Sequence, residues 1–187
     1  KLFEDAYSSA AFDPEKYYTM FVSLIELVVE RSGVSIDHIT LSTSLINTLQ
    51  HTDPERFPKF ICQWLRLFSH RCILYVLAKP SVKKNQLLSV YFNMFNKYLH
   101  LIQPILVIES ETAKQVVAAT VFCIVTLRNC FPEFMVYYSL PLAISIPYSA
   151  VSLRLPILTA VSHETGYEEH FNMMMELVPQ EVQKELN

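Results

Sequence analysis

The sequence predicts an all-α protein made of stacked antiparallel helical hairpins, a degenerate HEAT-like or ARM-like array. Three observations carry that reading. Apolar residues recur at three- and four-residue steps along most of the chain, the period of a helix with one buried face. Only two glycines, Gly33 and Gly166, occur in 187 residues, which leaves little material for tight hairpins. Prolines fall between the periodic segments, where they start or stop helices, and the connections are short enough to favour antiparallel neighbours. No fixed-period repeat is visible, so the array is inferred from helix order and connection length. The expected organisation is a single domain over 1–187, with a less packed tail over 162–187.

Taken in order, the first dozen residues, KLFEDAYSSAAF, lack a sustained period and read as a lead-in. Asp13-Pro14 is a helix start, since Asp accepts from free amides of the first turn and Pro needs no donor there. Tyr17, Met20, Phe21, Leu24, Leu27 and Val28 then give one apolar face as far as Arg31, and Gly33 supplies the stop. A second helix runs from Asp37 to Gln50. After Pro58, Phe60, Ile61, Trp64, Leu65 and Phe68 form an apolar stripe that continues through Ile73, Leu74 and Val76 to Leu77, ended by Pro80. The next helix begins near Ser81 or Lys83 and uses Leu87, Leu88, Tyr91, Phe92, Phe95, Tyr98 and Leu99. Pro104 ends it, with Ile105 to Ile108 as an apolar extension. Ser110 to Asn129 reads as a buried helix with a hydroxyl cap. Phe131-Pro132-Glu133 starts a short helix through Tyr138, Pro147 opens another, and Val178-Pro179 precedes a last one.

Between Glu133 and Arg154 no residue carries a formal charge, a run as long as the ~20 residues a membrane-spanning helix needs. Pro141 and Pro147 interrupt it, serines dilute it, and no aromatic belt or basic cluster flanks it, so two short buried helices are expected and no membrane association. The first residues also lack the basic, apolar and small-residue succession of a signal peptide. The four cysteines, Cys62, Cys72, Cys123 and Cys130, have no CxxC spacing and sit among apolar neighbours, as reduced thiols do.

Charge is unevenly placed behind a net value of -3. The segment 56–108 contains Arg56, Lys59, Arg66, Arg71, Lys79, Lys83, Lys84 and Lys97 and no acid, while acids crowd the tail. Such segregation suits an acidic partner or nucleic acid, or a basic segment facing the chain's own acidic tail.

Searches for chemistry return mostly structural readings. Scarce glycine excludes a Gly-rich phosphate cradle, and no GxSxG is present. His163, Glu164 and His170 lie in HETGYEEH, which lacks the histidine pair of HExxH and reads as solvated tail. His70, beside Cys72, reads as a helix-end histidine bonded to backbone rather than as a Cys/His site. Glu133 suits a helix N-terminus, where a carboxylate meets free amides. Tyr91, Phe92, Phe95 and Tyr98 could stack on single-stranded RNA beside Lys83, Lys84 and Lys97, but their helical spacing assigns them to core first. No catalytic residue, metal site, cofactor or small-molecule substrate is expected.

The residue order itself resembles a family. Phe131, Pro132, Glu133 and Phe134, then Ile146-Pro147, Leu153-Arg154 and Ile157 to Ala160, are similar to the C-terminal domain of the large Not scaffold subunit of the CCR-NOT deadenylase complex. Upstream, Phe60, Trp64, Leu67, Ser69, His70 and Arg71 match that domain's helix of the form F-x-x-x-W-x-x-L-x-S-H-R. Where the family continues with Asn after Leu-Arg, this chain has Leu155 and Pro156. The resemblance implies a non-enzymatic helical-repeat scaffold that docks Not-box subunits to form the Not module. By the same resemblance it supports mRNA deadenylation, decay and translational repression, and works with RNA-binding regulators. The implied compartment is the cytoplasm, with the nucleus as a second. Trp64, His70, Phe131, Pro132, Glu133, Pro147, Leu153 and Arg154 are then signature residues with structural roles. Arg66, Arg71, Lys83, Lys84, Phe134, Tyr137 and Tyr138 are the candidates for partner contact. The second reading is a helical RNA-binding domain using the basic segment 56–108.

Overall fold

The computed structural model describes residues 2–31, 38–79, 84–108 and 110–146, and among these every regular element is helical. The α-helices are α1 (Leu2–Tyr7), α2 (Pro14–Arg31), α3 (His38–His51), α4 (Ile61–Phe68), α5 (Arg71–Ala78), α6 (Lys84–Ile102), α7 (Glu111–Cys130) and α8 (Pro132–Ile144). Short 3-10 turns cover Pro58–Phe60 and Ile105–Val107. The chain divides into two compact units, with the division between Leu87 and Leu88 inside α6. The expected helix from Pro147, with Leu153 and Arg154, and the tail over 162–187 lie outside the described residues, as do Gly33, Pro80 and Lys83.

In the first unit, Asp13 starts α2 as its type predicts: Oδ1 accepts the amides of Glu15 (3.0 Å) and Lys16 (3.4 Å). The helix packs on α4 and α5, and α3 packs on the same pair. The inward face of α2 is not the expected one. Ile25 is buried and Phe21 meets the rings of Phe3 and Phe60, whereas Met20, Leu24, Leu27 and Val28 are exposed, Leu24 by 52%. The run from Met20 to Val29 is apolar at nearly every position, so its period does not select a face; packing against α4 and α5 does.

The lead-in is also more ordered than its irregular pattern implies. Phe3, Tyr7 and Phe12 form an aromatic cluster with Tyr17, Phe57 and Phe60, mostly edge to face, and this docks α1. The stripe read as one continuous helix from Phe60 to Leu77 is broken at Ser69 and His70. The Ser69 hydroxyl donates to the Leu65 carbonyl (2.8 Å), His70 turns extended, and its Nδ1 accepts the Cys72 amide at 3.4 Å. The break lets each short helix bury its own stripe: Trp64, Leu65, Leu67 and Phe68 on α4, and Ile73, Leu74, Val76 and Leu77 on α5. Buried Trp64 also closes α3, since its indole Nε1–H donates at 2.9 Å to the Leu49 carbonyl, one of the last-turn acceptors with no partner inside the helix.

In the second unit, α6 buries Leu88, Tyr91, Phe92, Phe95, Tyr98, Leu99 and Ile102, the aromatic set assigned to core by its spacing. Ser110 caps α7, accepting the Ala113 amide at 3.1 Å. Thr120 joins α6 to α7: its hydroxyl donates to the Val116 carbonyl and therefore accepts from the Tyr98 phenol, both at 2.7 Å. The helix was expected to be buried throughout, yet only the stripe Ala113, Val116, Thr120, Cys123, Ile124 and Leu127 is, and Phe122 stands 64% exposed.

Pro141 does not end α8, which runs through it to Ile144. The proline withholds one donor from the carbonyl four residues back, that of Tyr137. Both Pro141 and Tyr137 lie on the exposed side, where water can take that carbonyl. The far end of α8 is held to α6 by buried Ser145, whose hydroxyl contacts Asn96 Oδ1, the Pro141 carbonyl and His100 Nε2, while Gln103 donates to its carbonyl at 2.6 Å. At about 1.5 Å per residue the helix is too short to cross a bilayer. No helix among the described residues is long and apolar enough to do so.

Trp64→Phe removes the indole donor, leaves the Leu49 carbonyl with only the longer bond from the Thr52 hydroxyl at 3.3 Å, and opens a void. Urea unfolding is expected to show a loss of about 1–3 kcal/mol. Leu24→Ser on the exposed face of α2 is expected to change stability by less than about 0.5 kcal/mol.

Candidate partner-binding surface

The FPEF stretch builds one surface of the second unit. Phe131 is buried between α7 and α8, Pro132 fixes the first turn of α8, and Glu133 stands exposed in that turn. Phe134 and Tyr138, one helical turn apart, lie with rings 6.4 Å apart and nearly parallel at 10°. The fully buried Phe92 stacks against both, at 5.9 Å and 5.2 Å. Tyr137 is 73% exposed and meets Tyr138 at 66°, centroids 5.2 Å apart. Ser89, Glu133, Phe134, Tyr137 and Tyr138 line a cleft of about 300 Å³. Of the three aromatic candidates, then, Tyr137 is exposed, Phe134 half-buried and Tyr138 buried.

Of the basic candidates, Arg66 and Arg71 belong to the first unit and are paired with acids of α2, as Arg56 is with an acid of α1. Arg56 pairs with Glu4, Arg66 with Glu15 at 2.6 Å, and Arg71 with Glu26 at 3.0 Å. The Arg66 guanidinium also sits 3.9 Å from the centroid of the Tyr18 ring. Lys59 lies over Tyr7 and Lys79 over Tyr75. Lys84 opens α6 half-buried, and Lys83 is outside the described residues. The acidic tail proposed to face this segment is likewise outside them, and α1 and α2 supply the acids for these three arginines instead.

The Cys/His alternative finds no support in the geometry. Burial lowers the His70 pKa against the opposing pull of Glu26, so the ring is held neutral with Nδ1 accepting from backbone. Burial pushes the Cys72 and Cys62 thiols up, away from the thiolate a nucleophile needs. The described residues hold no group of three or more His, Cys, Asp or Glu able to take a metal, and His163, Glu164 and His170 lie outside them.

Two apolar surfaces escape the sequence reading. One is the exposed face of α2. The other is a groove of about 510 Å³ between the turn at Ile105–Val107 and α7, lined by Ile105, Leu106, Ile108, Val117, Ala118 and Val121, with Lys114 at its side. The signal for the second was present: Val116 to Leu127 is apolar on more sides than one neighbour can cover.

Residues 24–184 match the family model described as CCR4-Not complex component, Not1. No curated protein sequence matches the chain. A solved structure of the NOT1 superfamily homology domain from Chaetomium thermophilum is similar in fold, with a TM-score of 0.73 at 20% identity over 87% of this chain. The chain spans about a third of that structure's chain, 32% of its length.

The His70 geometry sets a pH dependence. Its folded pKa lies below the ordinary 6.5, so as pH falls the unfolded chain takes up this proton first and the folded state loses stability. His70→Asn keeps an acceptor for the Cys72 amide and does not titrate. The urea midpoint of the native sequence is expected to drop between about pH 7 and 5.5 by more than that of the variant.

Proposed function

The chain belongs to the Not1 family of CCR4-Not complex components, and from that premise we propose that it is a non-enzymatic scaffold domain that docks Not-box subunits. In this role it supports mRNA deadenylation, decay and translational repression in the cytoplasm, and in the nucleus as a second compartment. The observation that carries the reading is the family match over residues 24–184. The surface beside α8 suits it. An exposed Tyr137 set against the Tyr138 ring, with a half-buried Phe134 lining the same cleft, supplies aromatic area at low entropic cost, the usual material of an interface anchor.

The competing reading, direct RNA binding through the basic segment 56–108, is disfavoured by where its arginines point. Affinity for a phosphate backbone comes from cations free to displace counterions. Arg56, Arg66 and Arg71 each already face a glutamate, so an RNA strand would have to break those pairs. RNA-binding regulators then reach the complex through protein contacts.

Co-purification with Not-box subunits from the same source tests the role. Retention at low micromolar concentration is expected, and Tyr137→Ala is expected to weaken it about tenfold without changing the thermal midpoint. No retention of the subunits by the unaltered chain would sink the docking role. In parallel, a single-stranded RNA is expected not to bind at low salt.

A further inference from the structure

We propose that the cleft at the start of α8 recognises a cationic side chain, an arginine presented by an extended partner segment. The exposed ring of Tyr137, the half-buried ring of Phe134 and the Glu133 carboxylate are its binding groups, with buried Tyr138 also lining the cleft. The inference rests on the docking reading for what carries the arginine; the recognition chemistry is the cleft's own.

The first unit already contains this constellation in occupied form. At the start of α2, Pro14 and Glu15 open the helix and Tyr18 follows one turn on. Arg66 sits there with its guanidinium 3.9 Å from the Tyr18 centroid and 2.6 Å from Glu15. At the start of α8, Pro132 and Glu133 open the helix and Tyr137 follows one turn on. The ingredients are the same: a proline-started first turn, its exposed acid, and a tyrosine on the same side of the helix at i+3 or i+4. No ion pair of Glu133 occurs among the described residues, whereas Glu4, Glu15 and Glu26 each hold an arginine.

The cleft fits the head group in size and charge. About 300 Å³ is enough for a guanidinium and part of its stem. Aromatic faces carry the negative side of the ring quadrupole, so the Tyr137 and Phe134 rings in one cleft with a carboxylate favour a cation over any neutral or acidic group. Arginine is preferred to lysine because its planar head stacks on a ring while its fork engages the acid. The site is also preorganised. Phe92, buried beneath Phe134 and Tyr138, fixes both rings before a ligand arrives. Glu133 offsets the positive end of α8, which would otherwise repel the cation.

The test uses the whole chain and tripeptide probes, acetyl-Gly-Arg-Gly-amide against acetyl-Gly-Gln-Gly-amide, followed by amide chemical shifts. The Arg probe is expected to move the resonances of Glu133, Phe134 and Tyr137 with saturation in the millimolar range, and the Gln probe is expected not to. Glu133→Gln and Tyr137→Leu, both at exposed positions, are expected to weaken the Arg probe about threefold or more with unchanged thermal midpoints. Equal binding of the two probes, shifts centred elsewhere, or an indifferent Glu133→Gln would overturn the proposal. If the probe binds only after Arg154→Ala, the chain's own arginine is the occupant, and the partner assignment is wrong. The docking role fails separately: retention of Not-box subunits without any response to the Arg probe would remove the arginine site and leave the scaffold, while the reverse would leave the site and remove the scaffold.

Discussion

Every helix end exposes backbone groups that must find partners, and at several ends of this chain those partners are side chains. Gly33 and Gly166 fall outside the described residues. Side chains take over the task. Asp13 and Ser110 accept amides at the starts of α2 and α7, and His70 does so at α5. Trp64 donates to the end of α3, and Ser145 to the end of α8. Where the group also packs, as Trp64 and Ser145 do, helix termination and tertiary packing become one event. Trp64 shows the coupling best: the indole that completes the Leu49 carbonyl is itself buried on α4, so α3 cannot end where it does unless α4 is in place.

The second consequence concerns surfaces. A helix buries one stripe against its neighbours, and α2 and α7 carry more apolar residues than one stripe can hold. The surplus remains outside, as Leu24 and Leu27 on α2 and Phe122 and Val125 on α7. Around α8 the surplus is aromatic and accompanied by an acid, which turns a merely apolar surface into one with a preferred ligand charge. A family of complex components is a natural setting for such faces, since exposed apolar area in a folded chain marks contact sites.

Much of the fold was legible. The cap-plus-proline pair Asp13-Pro14 located the start of α2, Phe131-Pro132-Glu133 located that of α8, the hydroxyl cap located α7, and the aromatic period of α6 identified core. Other features were not. The face of α2 was misassigned because a nearly continuous apolar run has no unique period. The break between α4 and α5 was missed because apolar spacing continues across Ser69 and His70, and only the side-chain bonds of those two residues reveal it. The persistence of α8 through Pro141 was missed because the cost of a helical proline depends on whether the abandoned carbonyl faces water, which sequence does not state. The candidate site was legible as a list of residue types. That Tyr138 lies inside and Tyr137 outside depends on which side of α8 meets Phe92, a tertiary fact.

The charge pattern shows most clearly how composition and placement diverge. A segment without acids reads in sequence as an electrostatic surface awaiting an anion. In the folded first unit its arginines meet glutamates contributed by helices far earlier in the chain, and two of those partners, Glu15 and Glu26, lie on α2 itself. Exposed pairs of this kind add little stability each, about 0–1 kcal/mol. Their effect is instead on availability, since a guanidinium held by a carboxylate and a tyrosine face presents less charge to a passing strand. The three arginines of the segment are therefore engaged by helices of the first unit. In the second unit the acid at the start of α8 has no arginine against it among the described residues and shares its cleft with aromatic rings, and that is where an incoming cation gains most.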